Sequence, residues 1–338
     1  MAAPPSATPE PGRSAAAPVA GVPDPFREPL RIGTLELDRR LFMAPMAGIT
    51  SLAFRRSVRR WGAGLAFTEM ISAYGVHYRN RRTLDYLTCE ADEHPLGFQL
   101  FGADADVLAD AAGRCVEAGA DVVDLNMACP VRKVVKTGAG AALLGDPDRA
   151  AAIVAAVVGA VEGRAPVTVK IRAGLRAGDE AGRRTASRLV AAGAAAVCIH
   201  PRTASQLYRG RADHAVTFAL AAELPVPVIA SGDVDGRAAA LALLDGGAAA
   251  VMLARHALGR PWLFAEIFDG SPPPSLDAQR AEVRLFSGDV MREMGARAIG
   301  YLRQFWPRFR RAGVLDKELA HALMLAPDTT AVRELLGM

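Results

Sequence analysis

The stretch EAGADVVDL, residues 117–125, decides how the chain is read. A glycine placed after a helical run accepts the left-handed conformation that ends a helix, and the small residues behind it release the chain into an apolar run suited to a buried parallel strand. The same pattern recurs in RWGAGLAFT (60–68), AAGAAAVCI (191–199) and DGGAAAVML (245–253). Four further runs are entered differently: LFMAPMAG (41–48), PLGFQLFG (95–102), APVTVKIRAG (165–174) and VPVIASGDV (226–234). The spacers, such as DADVLADAAGRCVEAG and DPDRAAAIVAAVVGAVEG, carry Asp near their starts and apolar residues at helical spacing. With LGRPWLFAEIF as the last connector, eight strand–helix units are complete, which predicts an α/β fold closed as a (β/α)8 TIM barrel over residues 26–270.

Outside the repeats, LRIGTLELDRR (30–40) alternates around a turn and predicts an N-terminal hairpin plugging the barrel floor. Beyond the SPPPSLD linker, residues 271–338 predict a C-terminal helical domain, and the Pro-, Ala- and Ser-rich residues 1–25 a disordered tail. Hydrophobic residues make up 51% and charged residues 22% of the 338, and no window approaches the ~20 apolar residues of a membrane span, so a soluble protein with no membrane partner is expected. Four cysteines without a CxxC pair argue against a disulfide framework and against zinc; no metal and a cytoplasmic location are expected, and a monomer. The formal charge of +4 permits an anionic partner without demanding one.

In such a barrel the chemistry lies where strands end. The eight ends deliver Pro45, Met46 and Ala47; Thr68, Glu69 and Met70; Gln99; Asn126 and Cys129; Lys170 and Arg172; His200 and Arg202; Ser231, Gly232 and Asp233; and Ala254 and Arg255. Only four of the 40 basic residues are lysine, and a charged Lys170 inside VTVKIR is costly unless it faces a ligand or partner. Loops after the last two strands, ASGDV and LARHALGR, have the form that receives a cofactor phosphate. With Gln99 and Lys170 deeper inside, they make a polar rim for a flat ring with a phosphate tail, and FMN is the expected cofactor. Lys170 would then sit near the pyrimidine end, where reduction builds negative charge.

The ordered set MAPMAG, QLFG, NMACP, VKIR, HPRT, SGD, AR and GRPW resembles the tRNA-dihydrouridine synthases, most closely their bacterial B-type branch, over about residues 30–270. The resemblance implies flavin contacts at Pro45, Met46, Ala47, Gln99, Lys170, His200, Ser231, Gly232, Asp233, Ala254 and Arg255, and an active-site cysteine at Cys129. It implies reduction of uridines in tRNA to dihydrouridine, with electrons from NADPH through FMN. Hydride would reach C6 of uracil, and the Cys129 thiol would supply the proton at C5. Asn126 would meet the uracil edge, and Arg172 and Arg202 the base or a nearby phosphate. The family's usual NMGCP, HGRT, NGD and GR differ here at Ala128, Pro201, Ser231 and Ala254. Two other readings stay open: a flavin reductase of another pyrimidine or an enone on the same barrel, and an RNA-binding module without turnover, against which Cys129 and Lys170 argue.

Cys89, Cys115 and Cys198 receive no role. For tRNA binding, the acid-free segment between Glu293 and Asp316 interleaves Arg297, Arg303, Arg308, Arg310 and Arg311 with Tyr301, Phe305, Trp306 and Phe309, a pattern that predicts phosphate contacts and base stacking. Arg79, Arg81, Arg82, Arg132, Lys133, Lys136, Arg209 and Arg211 add charge on the strand-end loops.

Overall fold

The computed structural model describes residues 24–338, so the tail expected over residues 1–25 lies almost wholly outside the described residues. Asp24 already caps a short 3-10 helix, Pro25–Arg27. A hairpin follows, β1 (Leu30–Ile32) and β2 (Leu35–Leu37), paired antiparallel with Leu30 opposite Leu37. Gly33 turns it at φ +58°, and a Cβ there would lie 2.9 Å from the Pro166 side chain, just ahead of a barrel strand. That contact seats the hairpin on the barrel floor.

Eight parallel strands close the barrel: β3 (Leu41–Met43), β4 (Leu65–Ser72), β5 (Leu96–Phe101), β6 (Val122–Met127), β7 (Val167–Arg172), β8 (Ala196–His200), β9 (Val228–Ser231) and β10 (Ala250–Leu253), with β10 hydrogen-bonded to both β9 and β3. The alternation inside the strands explains both layers. In β7, Val167, Val169 and Ile171 face outward into the apolar cluster under the helices, which leaves Thr168, Lys170 and Arg172 on the inner face. In β6, Val123, Leu125 and Met127 join the same cluster and Asp124 and Asn126 line the interior. Register then stacks the polar residues in layers: Gln99 beside Asp124 and Asp124 beside Thr168, Asn126 beside Lys170 and Lys170 beside Cys198, Arg172 beside His200.

Of the C-terminal helices Leu276–Met294, Ala298–Leu302, Trp306–Arg311, Lys317–Leu325 and Thr329–Leu336, the first packs on the barrel helix Leu52–Arg60 and the others build outward from it. Phe54 meets Phe305 with ring centroids 5.6 Å apart and Phe286 at 6.3 Å, so barrel and module share one apolar cluster. Arg60 reaches Glu282 at 2.6 Å and Asp289 at 3.0 Å, and the Ser57 hydroxyl donates to Glu282 at 2.7 Å. The backbone N–H of Ala53, one of the four at the start of its helix that no helical carbonyl can satisfy, donates to Glu293 of the module at 2.8 Å.

This packing corrects the expectation of base stacking by the tail. Tyr301, Phe305, Trp306 and Phe309 are buried, and Tyr301 hydrogen-bonds Ser51 of the barrel at 3.0 Å. The aromatic spacing in that segment records core packing. Arg297, Arg303, Arg310 and Arg311 remain exposed and Arg308 half-buried, so only the phosphate-binding half of the expectation survives. No helix among the described residues is long and apolar enough to cross a membrane.

Candidate active site

The inner faces of β5, β6 and β7 carry a chain of hydrogen bonds whose direction is fixed at both ends. Asp124, 2% exposed, accepts from Thr168 Oγ1 at 2.6 Å and from Gln99 Nε2 at 2.7 Å. With its amide nitrogen turned toward Asp124, Gln99 offers Oε1 to Asn126 Nδ2 at 2.8 Å. Asn126 must then present Oδ1 to the next loop, where it accepts from the backbone N–H groups of Ala128 at 3.1 Å and Cys129 at 2.9 Å. A carboxylate at the bottom of the chain thus orients the backbone that carries the thiol. Burial pushes the Asp124 carboxyl up to about 6, against the hydrogen bonds from Gln99 and Thr168 and the charge of Lys170.

The Cys129 loop is closed on its far side as well. Ala141 N–H donates to the Cys129 carbonyl at 3.0 Å, and Gly140, at φ +61°, passes so close that a Cβ would lie 2.6 Å from that oxygen. Arg172, 2% exposed, donates from Nε to the Ala128 carbonyl at 2.9 Å and from one terminal nitrogen to Thr203 and Leu207 carbonyls at 2.9 and 2.8 Å. Cys129 itself is half-buried, beside Met70, Phe101, Ala103, Val134 and Ala139. Buried Cys115 and Cys198 are held far above the ordinary thiol range by burial, as inert core thiols are.

Across the mouth, Lys170 is 8% exposed and pairs with no carboxylate within 4 Å among the described residues. Asp124 and Cys198 both sense its charge. His200 is pushed down to about 2, first by burial and then by Lys170, Arg172, Arg202 and Arg255, so it is neutral. Arg202 donates to His200 Nε2 at 3.1 Å, which leaves the ring proton on Nδ1. Arg202 also donates to the Arg209 and Gly210 carbonyls and, at 2.7 Å, to Asp233, which accepts from Ala212 N–H as well. Tyr208 stands over this group, with Arg255 at 5.0 Å and Arg172 at 5.5 Å from its ring centre.

The strand-end residues are therefore brought to one mouth but differ in availability. Lys170, His200, Ser231, Gly232, Ala254 and Arg255 lie at the strand ends around it, and Pro45 and Met46 lead into a turn at Ala47–Ile49 that is pinned where Gly48 N–H donates to Glu69. Asn126, Arg172 and Arg202, read from the sequence as substrate contacts, have most of their polar atoms occupied within the protein and act on the loops. The Asp233 side chain likewise joins loops. The sequence reading passed over Asp124, although its place inside VVDLNM is the same signal that singled out Lys170 in VTVKIR.

Three features suit a flavin with a phosphate tail. Gly232, at φ +116°, could carry no side chain, because a Cβ would lie 2.9 Å from the His200 ring. Helix Arg237–Asp245 begins at Gly236 with no side chain capping its first N–H groups. Four cations, Lys170, Arg172, Arg202 and Arg255, converge on His200, and Asp233 is the carboxylate that pairs with two of them, Arg202 at 2.7 Å and Arg255 at 3.6 Å. Both loops open over the ends of β9 and β10, where a phosphate rests on barrels of this kind.

Fold and site together define a (β/α)8-barrel protein with a thiol and an anion-attracting cradle at one mouth. The chain belongs to the dihydrouridine synthase (Dus) family, whose model matches residues 42–306. It is 37% identical to tRNA-dihydrouridine synthase B of Pseudomonas aeruginosa over 317 residues, covering 86% of this chain and 94% of that one. To the probable tRNA-dihydrouridine synthase 1 of Synechocystis sp. it is 42% identical over 248 residues, 72% of this chain and 69% of the other. Among solved structures the barrel resembles histamine dehydrogenase from Rhizobium sp. 4-9 (TM-score 0.59, 15% identity, 73% of this chain and 48% of that one). It also resembles morphinone reductase (TM-score 0.54, 17% identity, 77% and 93%).

Proposed function

We propose that the chain is a flavin-dependent tRNA-dihydrouridine synthase that binds FMN and draws its electrons from NADPH. The observation that carries this reading is the placement of Cys129, its backbone oriented by Asn126, at the same barrel mouth as the unpaired Lys170 and the neutral His200. When bound and reduced, FMN would supply the hydride that reaches C6 of uracil. Lys170 would hold the pyrimidine edge of the ring system, and Gly232, the Gly236 helix start and Arg255 would meet its phosphate. Neutral His200 donates from Nδ1 without adding charge. Hydride addition at C6 leaves an enolate spanning C5, C4 and the C4 oxygen; the Cys129 thiol gives its proton to C5 and is left as thiolate, with Arg172 close enough to sense that charge. Solvent then returns the proton to sulfur.

The test joins two measurements. Purified protein should carry a yellow chromophore that denaturation releases as FMN, and with NADPH it should form dihydrouridine in unmodified tRNA, detected as a gain of two mass units in a nucleotide fragment. Release of FAD, or absence of flavin after incubation with FMN, overturns the cofactor assignment; a flavoprotein that reduces enones but leaves tRNA unchanged overturns the substrate.

A further inference from the structure

The loop that follows β4 exposes aromatic rings that the rest of the fold hides. Among the described residues the exposed Phe, Trp and Tyr side chains are Tyr74 (45%), Tyr78 (72%), Tyr86 (46%) and Tyr208 (57%), and three of these four lie on this one loop. Tyr74 and Tyr78 stand with ring centres 6.2 Å apart and planes within 23° of parallel, and His77 meets Tyr78 edge-on at 4.8 Å. Burial of an aromatic ring is strongly favourable, so rings held in water by an ordered backbone suggest a partner.

The backbone here is well fixed. Ser72 caps helix Ala73–His77 by accepting from Gly75 N–H at 3.2 Å, and Asn80 caps helix Arg81–Leu84 by accepting from Thr83 N–H at 3.2 Å. The two turns are packed so closely that a Cβ on Gly75 would lie 2.4 Å from Thr83 Oγ1. His77 contacts Asp110 of the neighbouring helix at 2.9 Å. Arg79, between the two turns, adopts φ +54°, a conformation uncommon for a residue with a side chain. Arg79, Arg81 and Arg82 are exposed and lie within 4 Å of no carboxylate among the described residues, whereas the nearby Arg56 and Arg114 pair with Asp92 and Asp110 at 2.9 and 3.0 Å.

Its position connects the loop to the chemistry. Met70, two residues before the end of β4, packs against the same small cluster of Ala103, Val134 and Ala139 as Cys129 and lies 3.8 Å from Asn126 Nδ2, so the loop rises from the rim on the thiol's side. At its other end Tyr86 senses the charges of Glu69 and of Arg297. The strip therefore runs from the barrel mouth toward the exposed arginines of the helical module.

We propose that Tyr74 and Tyr78, flanked by Arg79, Arg81 and Arg82, form a stacking platform for the tRNA nucleotides next to the uridine that enters the mouth. The assignment rests on the tRNA reading above. A uridine that reaches Cys129 has left its stack, and its neighbours each lose a π-face. Tyrosine faces replace it whatever the base, and the arginines meet the intervening phosphates. With Tyr301, Phe305, Trp306 and Phe309 buried, the stacking half of RNA binding falls to this loop.

The test is retention of an unmodified tRNA transcript by the flavin-loaded protein on filters, over a series of salt concentrations. Replacing Tyr74→Ala and Tyr78→Ala together should weaken binding about tenfold or more at unchanged flavin absorbance and unfolding midpoint. Tyr74→Phe with Tyr78→Phe, which keeps the ring faces, should bind as the parent does. Arg79→Gln, Arg81→Gln and Arg82→Gln together should reduce the slope of log affinity against log salt by about 2, at roughly 0.7 for each phosphate lost. If the alanine pair binds as tightly as the parent, or the phenylalanine pair loses as much as the alanine pair, the platform is wrong while the tRNA reading stands. No saturable binding by the parent protein overturns both.

Discussion

Asn126 Oδ1 accepts the backbone N–H of Cys129 at 2.9 Å while Asn126 Nδ2 donates to Gln99 at 2.8 Å, so one amide ties the thiol loop to the floor of the site. Asn126→Ala removes both ties, and a misplacement of the reacting group by about 1 Å costs on the order of 10²-fold in rate. Oxidation of the reduced flavin by tRNA, followed anaerobically in a stopped-flow instrument, should slow by about that factor, with reduction by NADPH unchanged. Asn126→Asp keeps the acceptor toward Cys129 and should lose less. Equal losses in both variants would instead place the importance of Asn126 at its contact with Gln99.

His200 and Asp124 give opposite pH dependences. The unfolded His200 titrates near ~6.5, but in the folded protein it stays neutral down to about 2, chiefly through burial. Between those values the unfolded chain holds more protons, so this residue lowers stability as pH falls below ~6.5, by about 1.4 kcal/mol per pH unit. Asp124 is raised to about 6 by burial. Its contribution is therefore fully present below the unfolded value of ~3.9 and is lost as pH rises through about 6. Urea unfolding of the parent and of His200→Asn, at equal flavin content, should show a difference that grows in favour of the variant from pH 6.5 toward pH 4.5. A difference independent of pH would mean that His200 is charged in the folded state.

The joint between barrel and helical module rests on a buried acid. Glu282, 3% exposed, depends on Arg60 and Ser57 for its partners. Arg60→Met leaves Glu282 without its guanidinium, while Asp289 keeps Arg292, and should cost about 3–5 kcal/mol by urea denaturation. Arg60→Met combined with Glu282→Leu should recover much of this, because the second change removes the stranded charge. Non-recovery in the double variant would assign the loss to packing of the arginine stem.

Periodicity made the barrel legible because a parallel strand buried on its outer face and a helix buried on one stripe leave different spacings in the sequence. Lys170 was legible for the related reason that a charge inside an apolar strand needs a partner. The tail misled, because Tyr301, Phe305, Trp306 and Phe309 beside arginines have the same spacing whether they stack on bases or fill a core. Only the position of Phe54 and Phe286 against them decides between the two. Occupancy of polar atoms was likewise invisible in sequence. Nothing in HPRT tells that Arg202 closes on Asp233 and on the Arg209 and Gly210 carbonyls, because those partners come from a loop and from another strand end.

The thiol can be tested apart from the residues that hold it. If Cys129 protonates C5 of uracil, Cys129→Ala should leave reduction of the flavin by NADPH near the parent rate, since that half-reaction needs no proton at uracil. Oxidation by tRNA should then slow by about 10²–10⁴-fold, the usual contribution of a general acid. Cys129→Ser should recover little, because a hydroxyl is a far weaker acid, although it matches the thiol in size. The loop bonds from Asn126 and Ala141 are to the backbone of residue 129, so neither variant disturbs them, and flavin content and unfolding midpoint should hold. A packing role gives the reverse pattern, with serine near the parent and alanine losing stability or flavin. Oxidation at the parent rate in both variants would remove Cys129 from the proton transfer and leave the substrate assignment without the residue that best explains it.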